Sequence, residues 1–262
     1  MPDISVLPKG LMMLQSRLTP ISHDILDSAP DKRRYNQKLF SIVAPRYNKA
    51  TVALSFGQDA FWKRKLVACL PRLENGTIAD IACGTGDISA LLCKAYSSCC
   101  IIGIDISPHM LAEGRRQGNV VRASVQDMAA LGLRDSSCKI VTGCYALRNA
   151  PDIRCALREM RRILKDDGTA AFLDFSRSEN RVVAAVQHLL LSFWGSVWGI
   201  LLHGNPAVYS YIARSLAHFP RRMELRRCMN EAGFTVIQSQ QFFRGMLELL
   251  VCRPVVRPHT IA

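Results

Sequence analysis

The run Asp80-Ile81-Ala82-Cys83-Gly84-Thr85-Gly86-Asp87 closes a strand-like segment with a glycine turn and opens a helix-like one. About twenty residues on, Ile101-Ile102-Gly103-Ile104-Asp105 closes a second strand-like segment with another acid, the spacing of a nucleotide-binding strand–turn–helix–strand unit. The acids select the ligand. A dinucleotide site turns a bare helix N-terminus toward a pyrophosphate, which an aspartate at 87 would repel. Ser89 and Ala90 also stand where that fingerprint needs a third glycine. S-adenosylmethionine (AdoMet) has no phosphate and carries a sulfonium and an ammonium, so carboxylates around the turn favour it. Asp80 suits the methionine end and Asp105 the ribose hydroxyls; Gly84, Thr85, Gly86 and Ile106 complete the set around the turn. Alone, the first run also fits a buried strand ending in a glycine turn, a reading to which the second acid leaves much less room.

Elements that position these residues follow from the pattern of the chain. Strand-like runs occupy 77–83, 99–105, 119–124, 138–145, 168–175, 234–240 and 247–253, and helical spacing occupies 87–96, 108–117, 151–165 and 221–232. This alternation predicts a doubly wound α/β sheet of seven strands, with the ligand at the carboxyl ends of the strands. Gly84, Asp105, Asp127 and the segment after Tyr145 then surround one cleft. Residues 182–202 form an almost uncharged stretch long enough to cross a bilayer. Spanning would put strands of one sheet on opposite sides of a membrane, and Gln187 and His188 weaken it. The stretch is read as an apolar lid over the cleft or a surface that dips into a bilayer interface, with a core helix as the plain alternative.

At 262 residues and 49% apolar content the chain can close one sizeable core. The expected organisation is an N-terminal extension over 1–30, loosely ordered, and one domain over 31–262 with the lid at about 178–220. Ten cysteines include no Cys-x-x-Cys pair, so no metal site is expected, and several sit in apolar runs as they do in a reducing compartment. With no signal-peptide pattern at the N-terminus, the expected location is cytoplasmic, with the membrane surface as a place of contact. The net charge of +13 is dispersed in short clusters such as Lys32-Arg33-Arg34 and Lys63-Arg64-Lys65. Solvated helix faces account for most of it, while anionic headgroups and nucleic acid are the partners it would also suit.

The chain resembles the ubiquinone/menaquinone biosynthesis C-methyltransferase family (UbiE or MenG type) from about residue 38 to 253. The segments that carry the likeness are Leu39-Phe40-Ser41-Ile42-Val43-Ala44-Pro45-Arg46-Tyr47-Asn48, Leu54-Ser55-Phe56-Gly57, Trp62-Lys63-Arg64, Ala146-Leu147-Arg148-Asn149 and Leu173-Asp174-Phe175-Ser176. Tyr209-Ser210-Tyr211-Ile212-Ala213, Ser215, Phe219-Pro220 and Ala232-Gly233-Phe234 continue it in order. The resemblance implies a seven-stranded Rossmann-like class I methyltransferase fold with a helical lid after strand five. It also implies AdoMet as cofactor and ring methylation of a prenylated quinol. Asp127 and Met128 match the family segment that meets adenine. The chain departs from the family pattern at Asn48 (usually aspartate), Ala50-Thr51 (Met-Asn), Asp59-Ala60 (His-Arg), Lys139 (aspartate), Arg214 (glutamate) and the 165–168 turn. The departures at 48, 50, 51, 59 and 60 are expected on the acceptor side.

Methylating a ring carbon requires electron density there, which a hydroquinone supplies when a phenol oxygen loses its proton. The enzyme aligns the reacting atoms and stabilises the developing phenolate. Arg148, always protonated, suits that stabilisation; Asn149 suits orienting the ring oxygen or Arg148; Tyr47 suits positioning or relaying the hydroxyl proton. These three are the candidate catalytic residues, and His218 is a speculative base. A surface ion pair for Arg148 and plain packing for Tyr47 are the bland alternatives. The expected acceptor is a demethylmenaquinol or a methoxy-benzoquinol precursor of ubiquinone. A second reading has another lipid-like or secondary-metabolite acceptor. Nucleic acid is not an expected partner, because no Asp/Asn-Pro-Pro-aromatic tetrad or appended RNA-binding module occurs. A non-catalytic scaffold would need decayed AdoMet residues, and a homodimer is left open.

Overall fold

A computed structural model of the chain describes residues 18–120 and 122–255. Seven strands, β1 (Gly76–Ile81), β2 (Cys99–Asp105), β3 (Ala123–Val125), β4 (Cys138–Cys144), β5 (Leu164–Phe175), β6 (Phe234–Phe242) and β7 (Leu247–Pro254), form one sheet in the order β3-β2-β1-β4-β5-β7-β6. The first five run parallel, and β7 is antiparallel to both β5 and β6. Parallel neighbours need crossovers, and helices α5 (Asp87–Ala95), α6 (Pro108–Arg116) and α7 (Ile153–Ile163) supply them. The expected doubly wound α/β architecture is therefore the observed one.

Local chemistry sets the ends of these elements. Ser107 caps α6 by accepting from Met110 N, with Pro108 at the first helical position. Asp152 caps α7 by accepting from the amides of Arg154 and Cys155. Ala156, Leu157, Met160 and Ile163 form the buried stripe of α7 and pack under β4 and β5 against Ala170 and Phe172. Strands β1 and β4 both stop where a non-glycine residue turns left-handed, Ala82 (φ 53°) and Tyr145 (φ 56°), so they end two residues and one residue before the expected ends. Such residues cost about 1–3 kcal/mol each and persist where the surroundings impose them. Here they bend two neighbouring chains away from the sheet at its carboxyl edge. β3 is shorter than the 119–124 expected, because Asn119 N bonds Gly114 O at the end of α6 and Val120 is buried beneath the glycine turn.

Four helices precede the sheet, α1 (His23–Asp27), α2 (Ala29–Val43), α3 (Tyr47–Leu54) and α4 (Asp59–Ala68). None of them is among the helical segments expected from the sequence pattern. Leu18, Ile21 and Leu26 join Leu39, Ile42 and Tyr211 in a core cluster of their own; residues 1–17 lie outside the described residues. After β5 comes a helical hairpin, α8 (Arg181–His203) and α9 (Ala207–His218), and then α10 (Arg222–Glu231). A Cβ on Gly195 would come within 2.6 Å of Tyr209 O, and one on Gly199 within 2.6 Å of Asn205 O. Glycine at these two places lets the hairpin close backbone to backbone.

α8 is the one helix among the described residues long and apolar enough to cross a membrane, yet only 17% of its apolar window is buried. The sheet continues on both sides of it in sequence, since β7 pairs with β5. This excludes spanning, and Leu191 of α8 with Val208, Tyr211 and Ile212 of α9 lines the space at the carboxyl edge of the sheet.

Candidate active site

Three connected spaces open at the carboxyl ends of β1, β2, β4 and β5. The largest, about 830 Å³, is walled by apolar groups such as Leu39, Trp62, Phe175, Leu191 and Val208, with Asp59, Tyr145, Arg148, Asn149 and Tyr211 among them. The second, about 620 Å³, follows β2 and is lined by Gly84, Asp105, Ile106, Asp127 and Met128. The third, about 290 Å³, lies at the end of β1 between Asp80, Thr85, Lys63 and Asp87. Tyr47 and Tyr145 border all three, and Asn149 borders the first two. The shared lining sets a polar cleft and an apolar chamber side by side, the arrangement that a small polar ligand and an apolar acceptor would need.

The glycine turn builds the inner two spaces. Gly84 N donates to Asp105 Oδ2 at 2.9 Å, and Ser107 N donates to Asp105 Oδ1 at 2.8 Å, so the turn after β1 and the end of β2 are tied through one carboxylate. Register sets Asp80 opposite Gly103 and Thr142. Thr142 donates to Asp80 Oδ1 (2.9 Å) and Ser89 to Oδ2 (2.6 Å). Burial pushes both Asp80 and Asp105 up to about 6, against the pull of those hydrogen bonds. A buried carboxylate raised in this way is unfavourable alone and gains most from a cation beside it, which is the chemistry of a sulfonium or ammonium ligand. Gly86 (φ +81°) lines none of the spaces. It starts α5, and a Cβ there would sit 2.0 Å from Val120 Cγ2.

Asp127 accepts from Ala129 N at 2.9 Å, and Arg33 of α2 reaches its Oδ2 at 2.5 Å, in ion-pair contact but off the hydrogen-bond line. Met128 lies beside it on the wall. Thr85 turns its hydroxyl to Asn48 Oδ1 (2.9 Å).

Arg148 and Asn149 sit in a 3-10 turn just past β4, both buried. The Arg148 backbone donates to Asp174 Oδ2 at 3.1 Å, its Nη1 to Ser215, and its guanidinium lies over the rings of Phe175 (5.1 Å) and Tyr211 (5.6 Å). Its Nε, 3.9 Å from Asp174 Oδ1, has no hydrogen-bond partner in the protein. Tyr211 donates to Asn36 Oδ1 (2.7 Å) and approaches Asn149 Oδ1 (3.1 Å), while Asn36 Nδ2 donates to Asn149 O at 2.7 Å. Lys32 adds a bond to Ala150 O (2.6 Å); burial, then repulsion from Arg148, brings its ammonium down to about 8. Helix α2 thus clamps the Arg148–Asn149 turn from outside.

A buried ion network missed by the sequence reasoning separates the spaces. Lys63 Nζ lies 2.6 Å from both Asp59 Oδ2 and Asp87 Oδ2, and Tyr145 donates to Asp59 Oδ1 at 2.9 Å. Burial raises the phenols of Tyr47 and Tyr145, so both hydroxyls keep their protons near neutrality. Asp87, read in sequence as an acid that would repel a pyrophosphate, is paired with Lys63. The departures from the family pattern divide: Ala50, Thr51 and Asp59 line the large chamber, Asn48 bonds Thr85 and Gln117, and Ala60 is exposed. His218 ends α9 against His23 at 2.8 Å, outside all three spaces. Among the described residues no cluster of His, Cys, Asp and Glu is suited to hold a metal.

Comparison with known proteins agrees with this geometry. A model of the ubiE/COQ5 methyltransferase family matches residues 28–251. A ubiquinone/menaquinone biosynthesis C-methyltransferase UbiE of Geotalea uraniireducens is 34% identical over 223 residues, 82% of this chain and 94% of that one. A demethylmenaquinone methyltransferase of Staphylococcus aureus is 29% identical over 213 residues, covering 80% and 88%. In fold, a SAM-dependent methyltransferase from Thermotoga maritima superposes with a TM-score of 0.59 at 19% identity, over 83% of this chain and 98% of that one. The chain belongs to the ubiE/COQ5 methyltransferase family and is an AdoMet-dependent methyltransferase.

Proposed function

We propose that the protein methylates a ring carbon of a prenylated quinol, a demethylmenaquinol or the methoxy-benzoquinol precursor of ubiquinone. The observation that carries this is the shared wall: Tyr47, Tyr145 and Asn149 stand between an apolar chamber holding a buried arginine and a cleft lined by carboxylates. Asp105 would hold the ribose of AdoMet, Asp127 and Met128 the adenine, and Asp80 with Thr85 the methionine end. When bound, AdoMet supplies an electrophilic methyl group on sulfur.

The remaining work falls to the chamber. Arg148 stabilises the phenolate as it develops, its Nε without a hydrogen-bond partner in the protein. Asn149, held by Tyr211 and Asn36, orients the ring oxygen. Burial keeps Tyr145 protonated, so it can take the quinol proton only as it gives its own to a neighbour. Tyr145 therefore hands the quinol proton to Asp59, the single carboxylate among the described residues lining the chamber. Lys63 stays protonated and balances Asp59 and Asp87. After methyl transfer the ring carbon sheds its hydrogen as a proton and the ring regains aromaticity; Asp59 returns its proton through Tyr145 to the phenolate, so one proton is released per turnover.

Residues 31–262 act in this reading as one domain, with the 178–220 hairpin as lid. Purified protein incubated with labelled AdoMet and each quinol tests the proposal: label on a ring methyl of one of them is expected, and label on neither rejects it. Ala50, Thr51 and Asp59 on the chamber wall motivate the second reading, another lipid-like acceptor, which label on neither quinol would favour.

A further inference from the structure

Along α8 the usual polarity of a surface helix is reversed. Val182, Val186, Leu189, Phe193 and Ile200 recur at steps of four, three, four and seven and face solvent, with Leu189 and Phe193 68% and 67% accessible. The other face, with Gln187, Gly195, Gly199 and His203, is the buried one. The apolar stripe runs about 27 Å at 1.5 Å per residue, longer than monomeric proteins ordinarily leave uncovered.

The stripe does not end at the helix. Trp194 stacks on the exposed Phe56 (4.9 Å, 13° between planes), and Phe56 meets the exposed Phe243 at 5.8 Å. Phe243 and Arg244 both hold positive φ (50° and 54°), a strained turn that keeps an apolar ring on the surface. Phe61, also exposed, lies under the ammonium of Lys65 at 5.6 Å. Phe243 and Leu191 line the acceptor chamber as well, so the patch runs into the chamber wall.

We propose that this face, α8 with Phe56, Phe61 and Phe243, lies in the headgroup region of a bilayer bearing anionic lipid and sets the acceptor chamber against it. The proposal rests on the quinol reading above for the need to reach a membrane-dissolved substrate, and otherwise on the patch itself. Aromatic rings and cations at the edge of an apolar helix face are the features of an interfacial contact. Charge decides between occupants: Lys65 and Arg244 border the patch on a chain of net charge +13. A second copy would bring like charge to like, whereas anionic headgroups neutralise it.

Flotation of the full-length protein with phosphatidylcholine vesicles, with and without phosphatidylglycerol, tests this. Binding to the anionic vesicles that weakens with added salt is expected, falling at least about tenfold in the double variant Leu189→Gln, Phe193→Gln. Both residues lie outside the chamber, so the variant should keep wild-type circular dichroism and wild-type activity on a short-tailed, water-soluble quinol. A chain that floats with neither vesicle, or a variant that binds as tightly as wild type, overturns the proposal. So does a sedimenting dimer that the double variant dissociates, which would give the face to a second copy. Vesicle binding without activity on any quinol would reject the quinol reading and leave the docking face standing.

Discussion

Replacing Asp80 by asparagine should strengthen the empty fold and weaken its complex with AdoMet in the same molecule. Asp80 is fully buried and raised from 3.8 to about 6, burial outweighing the bonds from Ser89 and Thr142. Below its unfolded value the aspartate is protonated in both states and costs nothing. Between about pH 4 and 6 the unfolded chain releases the proton while the folded chain keeps it, so stability falls as pH rises, and above about 6 the full penalty remains. Two pKa units correspond to about 3 kcal/mol. Asparagine carries no such penalty: its Oδ1 can accept from Thr142 and its Nδ2 can donate to the Ser89 hydroxyl. Thermal unfolding of the apo protein should therefore show the variant more stable by up to about 3 kcal/mol at about pH 8, with the gain vanishing near pH 4. Titration calorimetry should show AdoMet bound about 30-fold more weakly at about pH 8, since a charge-assisted contact of about 2 kcal/mol is lost. Wild-type affinity should fall below about pH 6 as Asp80 takes up its proton, by no more than the about 30-fold that asparagine costs, and the variant should lack that part of the dependence. A variant less stable than wild type at about pH 8, or one that binds AdoMet equally well, would refute the assignment of Asp80 to the cationic end of the ligand.

Gly86→Ala combines a left-handed φ with a Cβ 2.0 Å from Val120 and should cost about 3 kcal/mol, seen as a fall of about 6–12 °C in Tm. Arg148→Lys keeps the charge but loses the stack between Phe175 and Tyr211; kcat should fall about 100-fold with AdoMet affinity unchanged, as measured by steady-state kinetics and calorimetry. Tyr145→Phe removes the donor to Asp59 and should lower kcat about 100-fold. The acidic limb of its pH–rate profile should flatten too, and an unaltered profile would take Tyr145 out of the proton path.

What the sequence shows depends on how local the physics is. The glycine turn was legible because Asp80, Gly84 and Asp105 meet across one crossover, where spacing along the chain is spacing in space. The seven strands were legible for the same reason: β2 was expected and found at Cys99–Asp105. Helix α2 was not, although Tyr35, Leu39, Ile42 and Val43 recur at helical steps. Its remaining positions are mostly charged or amide residues, and the segment reads first as a matched motif. The Tyr145–Asp59 bond joins residues 86 apart and the Lys63–Asp87 bond residues 24 apart. No periodicity links them, and only the meeting of α4 with the ends of β1 and β4 does. His218 failed in the opposite sense: its residue type made it a candidate base, but type says nothing of place, and it lines none of the three spaces.

The stretch from 182 to 202 shows where a legible signal carried an incomplete answer. Hydrophobicity identifies a long apolar helix but does not orient it, because both faces are apolar. The glycines orient it. Gly195 and Gly199 stand four apart, on the face that also holds Gln187 and His203, and glycine at such spacing marks where another backbone must come close. Once α9 occupies that face, the larger side chains of α8 are forced outward and the apolar stripe becomes surface. Small residues inside and large ones outside is the arrangement of a helix packed on its own protein by backbone contact and left to find apolar partners elsewhere. This is why the hairpin can both roof a chamber and present a greasy exterior.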